Sequence, residues 1–264
     1  MTVTIGIAVP EGIIIAGDSR TTYVNARGWP KISSDYTQKV YQITSKVGAG
    51  TFGWAILNGN NINSLVEEFK DHQKNEANIN EVLPAFIDYF EDQYNKHIAA
   101  GFDQPVSPNS SAFGFILAGY DDKKVGKVFV CHFPGKIMRE LSSTSSPGAT
   151  WQGQTDIISR IIKGFDPRLD LSLFPQELRD NLSKGEYVIY FNRMNLQDAV
   201  DFSVFLVRTT IDMQRFSDGI ISVPGDIAGV GGFIDVLLIT NKETKWIQKK
   251  ELRGEVPSWI STIR

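Results

Sequence analysis

TVTIGIAVPEGIIIAGDSRTT fills residues 2–22, and its patterning sets how the rest of the chain is read. Two short β-rich runs, residues 3–9 and 13–16, flank Pro10, Glu11 and Gly12, so the segment predicts a hairpin. The second run ends at Asp18 in a polar stretch, 19–38, where Gly28 and Pro30 predict a long excursion. Residues 39–57 (KVYQITSKVGAGTFGWAIL) then predict two more strands separated by a short turn.

Downstream the period changes from two to 3.6. Ile62, Leu65, Val66 and Phe69 recur at helical spacing, predicting an amphipathic helix over 60–74. A second helix is predicted over 79–99, with Val82, Leu83, Phe86, Ile87, Tyr89 and Phe90 on its buried side. β-type runs return at 112–120, 127–133 and 136–143. Helical patterns follow at 156–162, 175–182 and 196–216, while the YVIYF run at 187–191 leaves 165–192 ambiguous. Two strands, 219–223 and 233–240, precede a polar tail with Trp246. Strand hairpins and helix pairs thus alternate in blocks, unlike the strict alternation of a parallel sheet. The expected fold is α+β, with two antiparallel sheets face to face and helix pairs outside, as one domain over 1–264.

Bulk composition narrows the function classes. The 264 residues are 42% hydrophobic and 22% charged, as in ordinary soluble proteins. A net charge of −3 without a Lys/Arg run gives no electrostatic case for nucleic acid or a membrane surface. Cys131 is the one cysteine, which excludes an intramolecular disulfide and suits a reducing compartment. The opening MTVTIGIAVPEG lacks the basic and apolar regions of a signal peptide, and no apolar run is long enough to span a bilayer. A cytoplasmic protein is expected, without cofactor or metal; His72, His97 and His132 are too scattered for metal-ligand spacing. Cys131 in its apolar strand reads as a core thiol. Gly48–Gly53 matches G-x-G-x-x-G, but a strand-like GWAIL follows instead of a helix, so a glycine-rich hairpin turn is the better reading.

Three segments resemble the proteasome subunit family of N-terminal-nucleophile hydrolases, including its bacterial proteasome-related members. In the first, Thr2, Gly12, Asp18, Ser19, Arg20 and Thr21 fill the family's places in the opening hairpin, with the Thr2-to-Asp18 spacing preserved. The second is QKVYQI at 38–43, where the family has a lysine opening a strand. The third is AGVGGFIDVLLIT at 228–240, similar to the family's C-terminal glycine-rich turn and strand. The resemblance implies a four-layer αββα sandwich and a threonine-type amide or peptide hydrolase resembling proteasome β-type subunits. It also implies assembly into homo-oligomeric rings or stacks. A non-catalytic assembly subunit of the same fold is the alternative, as is a hydrolase of small amides rather than peptides.

The chemistry of such a site is restrictive. A hydroxyl needs an adjacent base, and a threonine at the chain terminus carries its own in an α-amine of pKa about 7.7–8.0. Thr2 qualifies once Met1 is removed. From the resemblance, Lys39 stabilises the attacking oxygen and Asp18 pairs with Lys39. The oxyanion needs a backbone N–H. Gly59 fits the family's strand-to-helix place and Gly53 fits by count from Lys39; Gly59 is preferred because a helix N-terminus favours anions. Ser217 completes the implied catalytic set: the family has an aspartate three residues before a serine near the end of the long helix, and Gln214 and Ser217 stand there. Trp151-Gln152-Gly153 replaces the family's Gly-Ser-Gly, and the excursion before Lys39 is five residues longer than usual.

Overall fold

The structure, a computed structural model, describes residues 2–107, 110–166, 168–220, 223–224, 227–252 and 254. The first strands are β1 (Val3–Val9), β2 (Gly12–Gly17), β3 (Thr21–Val24), β4 (Pro30–Ser34), β5 (Val40–Gln42), β6 (Val47–Gly53), β7 (Ile56–Leu57) and β8 (Asn60–Asn61). Helices α1 (Ile62–Asp71) and α2 (Ile79–Ala99) precede β9 (Phe113–Tyr120), β10 (Gly126–Phe133), β11 (Ile137–Ser143) and β12 (Gly148–Gly153). Helices α3 (Asp156–Lys163), α4 (Gln176–Ser183) and α5 (Leu196–Phe216) lead to β13 (Gly219–Ile220), β14 (Val223–Pro224), β15 (Asp235–Ile239) and β16 (Thr244–Gln248). The fold is α+β, with antiparallel sheets and, among the described residues, five α-helices.

Sheet I has the strand order β12-β1-β2-β15-β16 and sheet II the order β11-β10-β9-β6-β5. Strands β1 and β2 are apolar at successive positions because both of their faces are covered. Val3, Ile5, Ile7 and Val9 join Ile158, Leu206 and Val207 of α3 and α5 in one cluster. On the other face Ala8, Ile13 and Ile15 meet Ile116, Val128 and Val130 of sheet II. The far side of sheet II packs on α1 and α2, where Phe86 and Phe90 lie 4.8 and 4.6 Å from the ring of Phe115. Two of these helices begin with reciprocal caps. Asn78 accepts the N–H of Glu81 while Glu81 accepts that of Asn78, and Asn195 and Asp198 repeat the device at α5.

Several expectations are revised. The chain does not end its regular structure at β15: the polar tail contributes β16, whose Leu237↔Trp246 pairing makes it an edge strand of sheet I. Residues 148–153, assigned no element from sequence, form the opposite edge, β12. The excursion over 19–38 contains the β3–β4 hairpin. Residues 187–191 form no strand, and the expected strand at 219–223 falls partly on 221–222, outside the described residues. The G-x-G-x-x-G run is not a turn but strand β6 itself. A Cβ at Gly50 would sit 2.4 Å from Thr4 Cγ2, so its missing side chain lets the two sheets close on each other beside Thr4. No helix among the described residues is long and apolar enough to cross a membrane.

Cys131 points into the aromatic cluster under α2, while its neighbour His132 turns to the other face and meets the edge of Phe52 at 5.4 Å. Burial pushes the Cys131 thiol up to about 12. In the native protein Cys131 is therefore expected to resist a thiol-specific disulfide reagent at about pH 8 and to react fully once denaturant is added. Rapid labelling of the folded protein would contradict this placement.

Candidate active site

The site forms where β1 begins, β2 ends and β5 begins. Pairing of Thr4 with Gly17 sets the next residue, Asp18, beside Val3. The Asp18 side chain is fully buried and accepts four hydrogen bonds. Oδ1 takes the Val3 N–H at 3.0 Å and the Lys39 ammonium at 2.8 Å; Oδ2 takes the N–H groups of Arg20 and Gly231, each at 3.0 Å. A charged carboxylate withdrawn from water needs this degree of satisfaction. One carboxylate thereby fixes the first residues of β1, the chain after β2, the 228–232 loop and the lysine.

Lys39 is held from three directions. Besides Asp18, its ammonium donates to the Arg20 carbonyl at 2.5 Å, and its own carbonyl accepts the Thr51 N–H at 2.8 Å. Burial lowers its proton affinity below the ordinary lysine value, and Asp18 opposes that effect; the charges of Lys250 and Arg20 add to the lowering. Arg20 in turn grips Asp35 through both carboxylate oxygens, at 2.6 and 2.9 Å, and donates to the Ala228 carbonyl at 3.0 Å. The pairing raises the guanidinium's pKa and lowers that of Asp35.

Thr2 is 6% exposed and borders a cleft of about 1120 Å³. Its carbonyl accepts the Gln154 N–H at 2.7 Å. Gly153, at φ +91°, passes so close that a Cβ there would lie 1.9 Å from the Thr2 oxygen. The Gln154 side chain is bonded by the Gln214 amide, and Gln214 Oε1 accepts the Val230 N–H at 2.7 Å. Helix α5 thus reaches the strand that carries Thr2 through two side-chain amides.

The sequence-derived set is brought together in part. Thr2 and Lys39 face one cleft, and Asp18 lies beneath them. Gly59 does not join them: it sits at the β7–β8 turn with φ +74°, nearest Phe102, outside the cleft wall. The extra β7–β8 hairpin separates β6 from α1, so the strand-to-helix place falls away from the site. Gly53, at the end of β6, lines the cleft instead. Ser217 caps the C-terminus of α5, donates its N–H to Met213, and lines a separate cavity of about 150 Å³ with Gln154 and Gln214. Sequence reading also passed over Asp35, Gln154 and Gly231, which act through backbone groups or ion pairs formed only in the fold. Among the described residues no group of three or more His, Cys, Asp or Glu side chains is placed to hold a metal ion. No family model matches the chain, and no curated protein matches it.

Replacing Asp18 with Ala takes the carboxylate from the Lys39 ammonium and the acceptor from three backbone donors, and is expected to lower stability by about 3–5 kcal/mol. Lys39's folded-state pKa lies below its ordinary value of 10.5, so the unfolded chain holds the proton more tightly and stability rises with pH across that interval. The deficit of the Asp18→Ala variant should therefore be largest at neutral pH and shrink as pH rises toward 10.5. Denaturant unfolding of both proteins at several pH values checks this; a deficit independent of pH would contradict it.

Proposed function

We propose that this chain is an N-terminal threonine hydrolase that cleaves peptide bonds, built as a four-layer αββα sandwich similar to proteasome β-type subunits. The observation that carries the reading is the sharing of one carboxylate. Asp18 Oδ1 holds both the N–H that follows Thr2 and the ammonium of Lys39, so nucleophile and cation are tied to one point beside the cleft. With Met1 removed, the Thr2 α-amine takes the proton from Oγ as Oγ attacks the substrate carbonyl, and returns it to the departing amine. The Lys39 ammonium favours the developing alkoxide electrostatically. Gly53, on the cleft wall, takes over from Gly59 as the residue whose backbone N–H faces the oxyanion. Water, deprotonated by the same amine, then hydrolyses the acyl ester and regenerates Thr2.

The cleft exceeds the roughly 300–1,000 Å³ of ordinary small-molecule sites, and Tyr23, Val24, Trp54 and Ile56 line it, which supports a peptide with apolar side chains over a small amide. Homo-oligomeric assembly in the cytoplasm belongs to the same proposal; exposed Leu173, Tyr187, Val188 and Phe216 are surfaces suited to contact between copies.

Hydrolysis of a panel of fluorogenic peptide amides and small amides tests the reading. Thr2→Ala is expected to reduce peptide cleavage at least about 1,000-fold, and Lys39→Met to reduce kcat with less effect on KM. A Thr2→Ala variant as active as the unmodified protein would overturn the mechanism, and a preference for small amides would overturn the substrate class.

A further inference from the structure

A second buried acid–lysine pair lies at the cleft, joining Asp235 of β15 to Lys250 of the polar tail. Asp235 is 1% exposed and pairs across β2–β15 with Gly17, the residue before Asp18. Its Oδ1 accepts the Lys250 N–H at 2.8 Å, and its Oδ2 accepts the Lys250 ammonium. Lys250 lines the cleft with Thr2 and Lys39. The chain at this point is also tied by the Gln248 side chain, which donates to the Ile234 carbonyl at 2.7 Å, and by the backbone bond to Asp235. The Lys250 ammonium is therefore not required to fix the strand end. Buried ion pairs are seldom net stabilising, so its placement calls for a different role.

We propose that Lys250, tethered by Asp235, is a positioning residue of the Thr2 site that acts through Lys39 by placing a second ammonium on the wall of the same cleft. This inference rests on the threonine-hydrolase reading. The charged groups acting on Lys39 are Asp18 from the end of β2, Arg20 with its partner Asp35 from the excursion, and Lys250 from the tail. Asp235 faces Lys250 and Tyr41, whose hydroxyl donates to the Gln38 carbonyl at 2.6 Å. Asp18 favours the charged form of Lys39, while Arg20 and Lys250 oppose it. The Asp235 carboxylate moderates what Lys250 contributes. The pair therefore sets the pH at which Lys39 gives up its proton, and with it the alkaline limb of Thr2 acylation, whose acidic limb belongs to the α-amine.

Opposite substitutions separate this role from a structural one. Lys250→Met removes a cation and bares the Asp235 anion, so Lys39 should titrate higher. Asp235→Asn keeps an acceptor for the Lys250 N–H but leaves the ammonium unopposed, so Lys39 should titrate lower. Lys250→Arg and the double variant Asp235→Asn/Lys250→Met should stay near the unmodified protein. The readouts are the ¹³C NMR titration of lysine-labelled full-length protein, with Lys39 assigned by its absence in Lys39→Met, and the pH profile of Thr2 acylation by a β-lactone. Opposed shifts of the two single variants support the inference; coincident midpoints, or shifts in one direction, overturn it. If Asp235→Asn does not fold, a shift in Lys250→Met with none in Lys250→Arg carries the same test. An unmoved Lys39 in a protein that acylates defeats this inference alone. Opposed NMR shifts in a protein that never acylates defeat the hydrolase reading alone.

Discussion

The buried carboxylate of Asp18 organises this protein. Withdrawn from water at the end of β2, it is satisfied by four donors, from Val3, Arg20, Gly231 and Lys39. Each donor belongs to a different part of the chain, so their convergence is possible only when the β1–β2 register, the glycine-rich loop before β15 and the entry to β5 are all in place. Loss of that anion leaves the buried Lys39 ammonium without its counter-charge, a harsher penalty than the loss of an apolar contact. The same requirement brings Lys39 to the cleft that Thr2 borders.

Around this point the cleft is assembled from segments distant in sequence. Gly153 and Gln154 hold the Thr2 carbonyl, and Gln214 braces Gln154 from α5. The β3–β4 hairpin supplies Tyr23 and Val24, the end of β6 supplies Gly53, and the tail supplies Lys249 and Lys250. Lys249 lies over the Trp246 ring at 4.8 Å, so the tail is anchored by β16 before it reaches the cleft. Charge in the site is likewise shared: Arg20 is neutralised by Asp35, Lys39 by Asp18 and Lys250 by Asp235.

Elements covered on both faces, or carrying strong end signals, were legible in the sequence. The runs of β1 and β2 are continuous apolar segments broken by Pro10-Glu11-Gly12, and α2 and α5 span the predicted residues, each opening with a capping box. What escaped was at the edges. β12 and β16 border sheet I, so Gln152, Lys245 and Gln248 are tolerated there and blur the strand pattern. Within the site, Thr2, Asp18 and Lys39 were found because they lie in or beside the opening hairpin and the first residues of a strand. Gly59 was misplaced because a two-residue ladder, Ile56↔Asn61 and Leu57↔Asn60, intervenes before α1, and no periodicity announces so short a hairpin. Ser217 follows from position along α5, but it lines a cavity with Gln154 and Gln214, separate from the cleft that Thr2 borders. Asp235 and Lys250 sit fifteen residues apart with no motif linking them, and their pairing follows only from the β15–β16 hairpin.

A nucleophilic Thr2 must stand at a free chain terminus, with Lys39 and Asp18 behind it. Intact mass of the native protein before and after treatment with a β-lactone, followed by peptide mapping, tests this most directly. The expected result is a protein lacking Met1 that gains a single adduct on Thr2, with no adduct in the Thr2→Ala variant. Met1 retained, with no adduct formed, would contradict it.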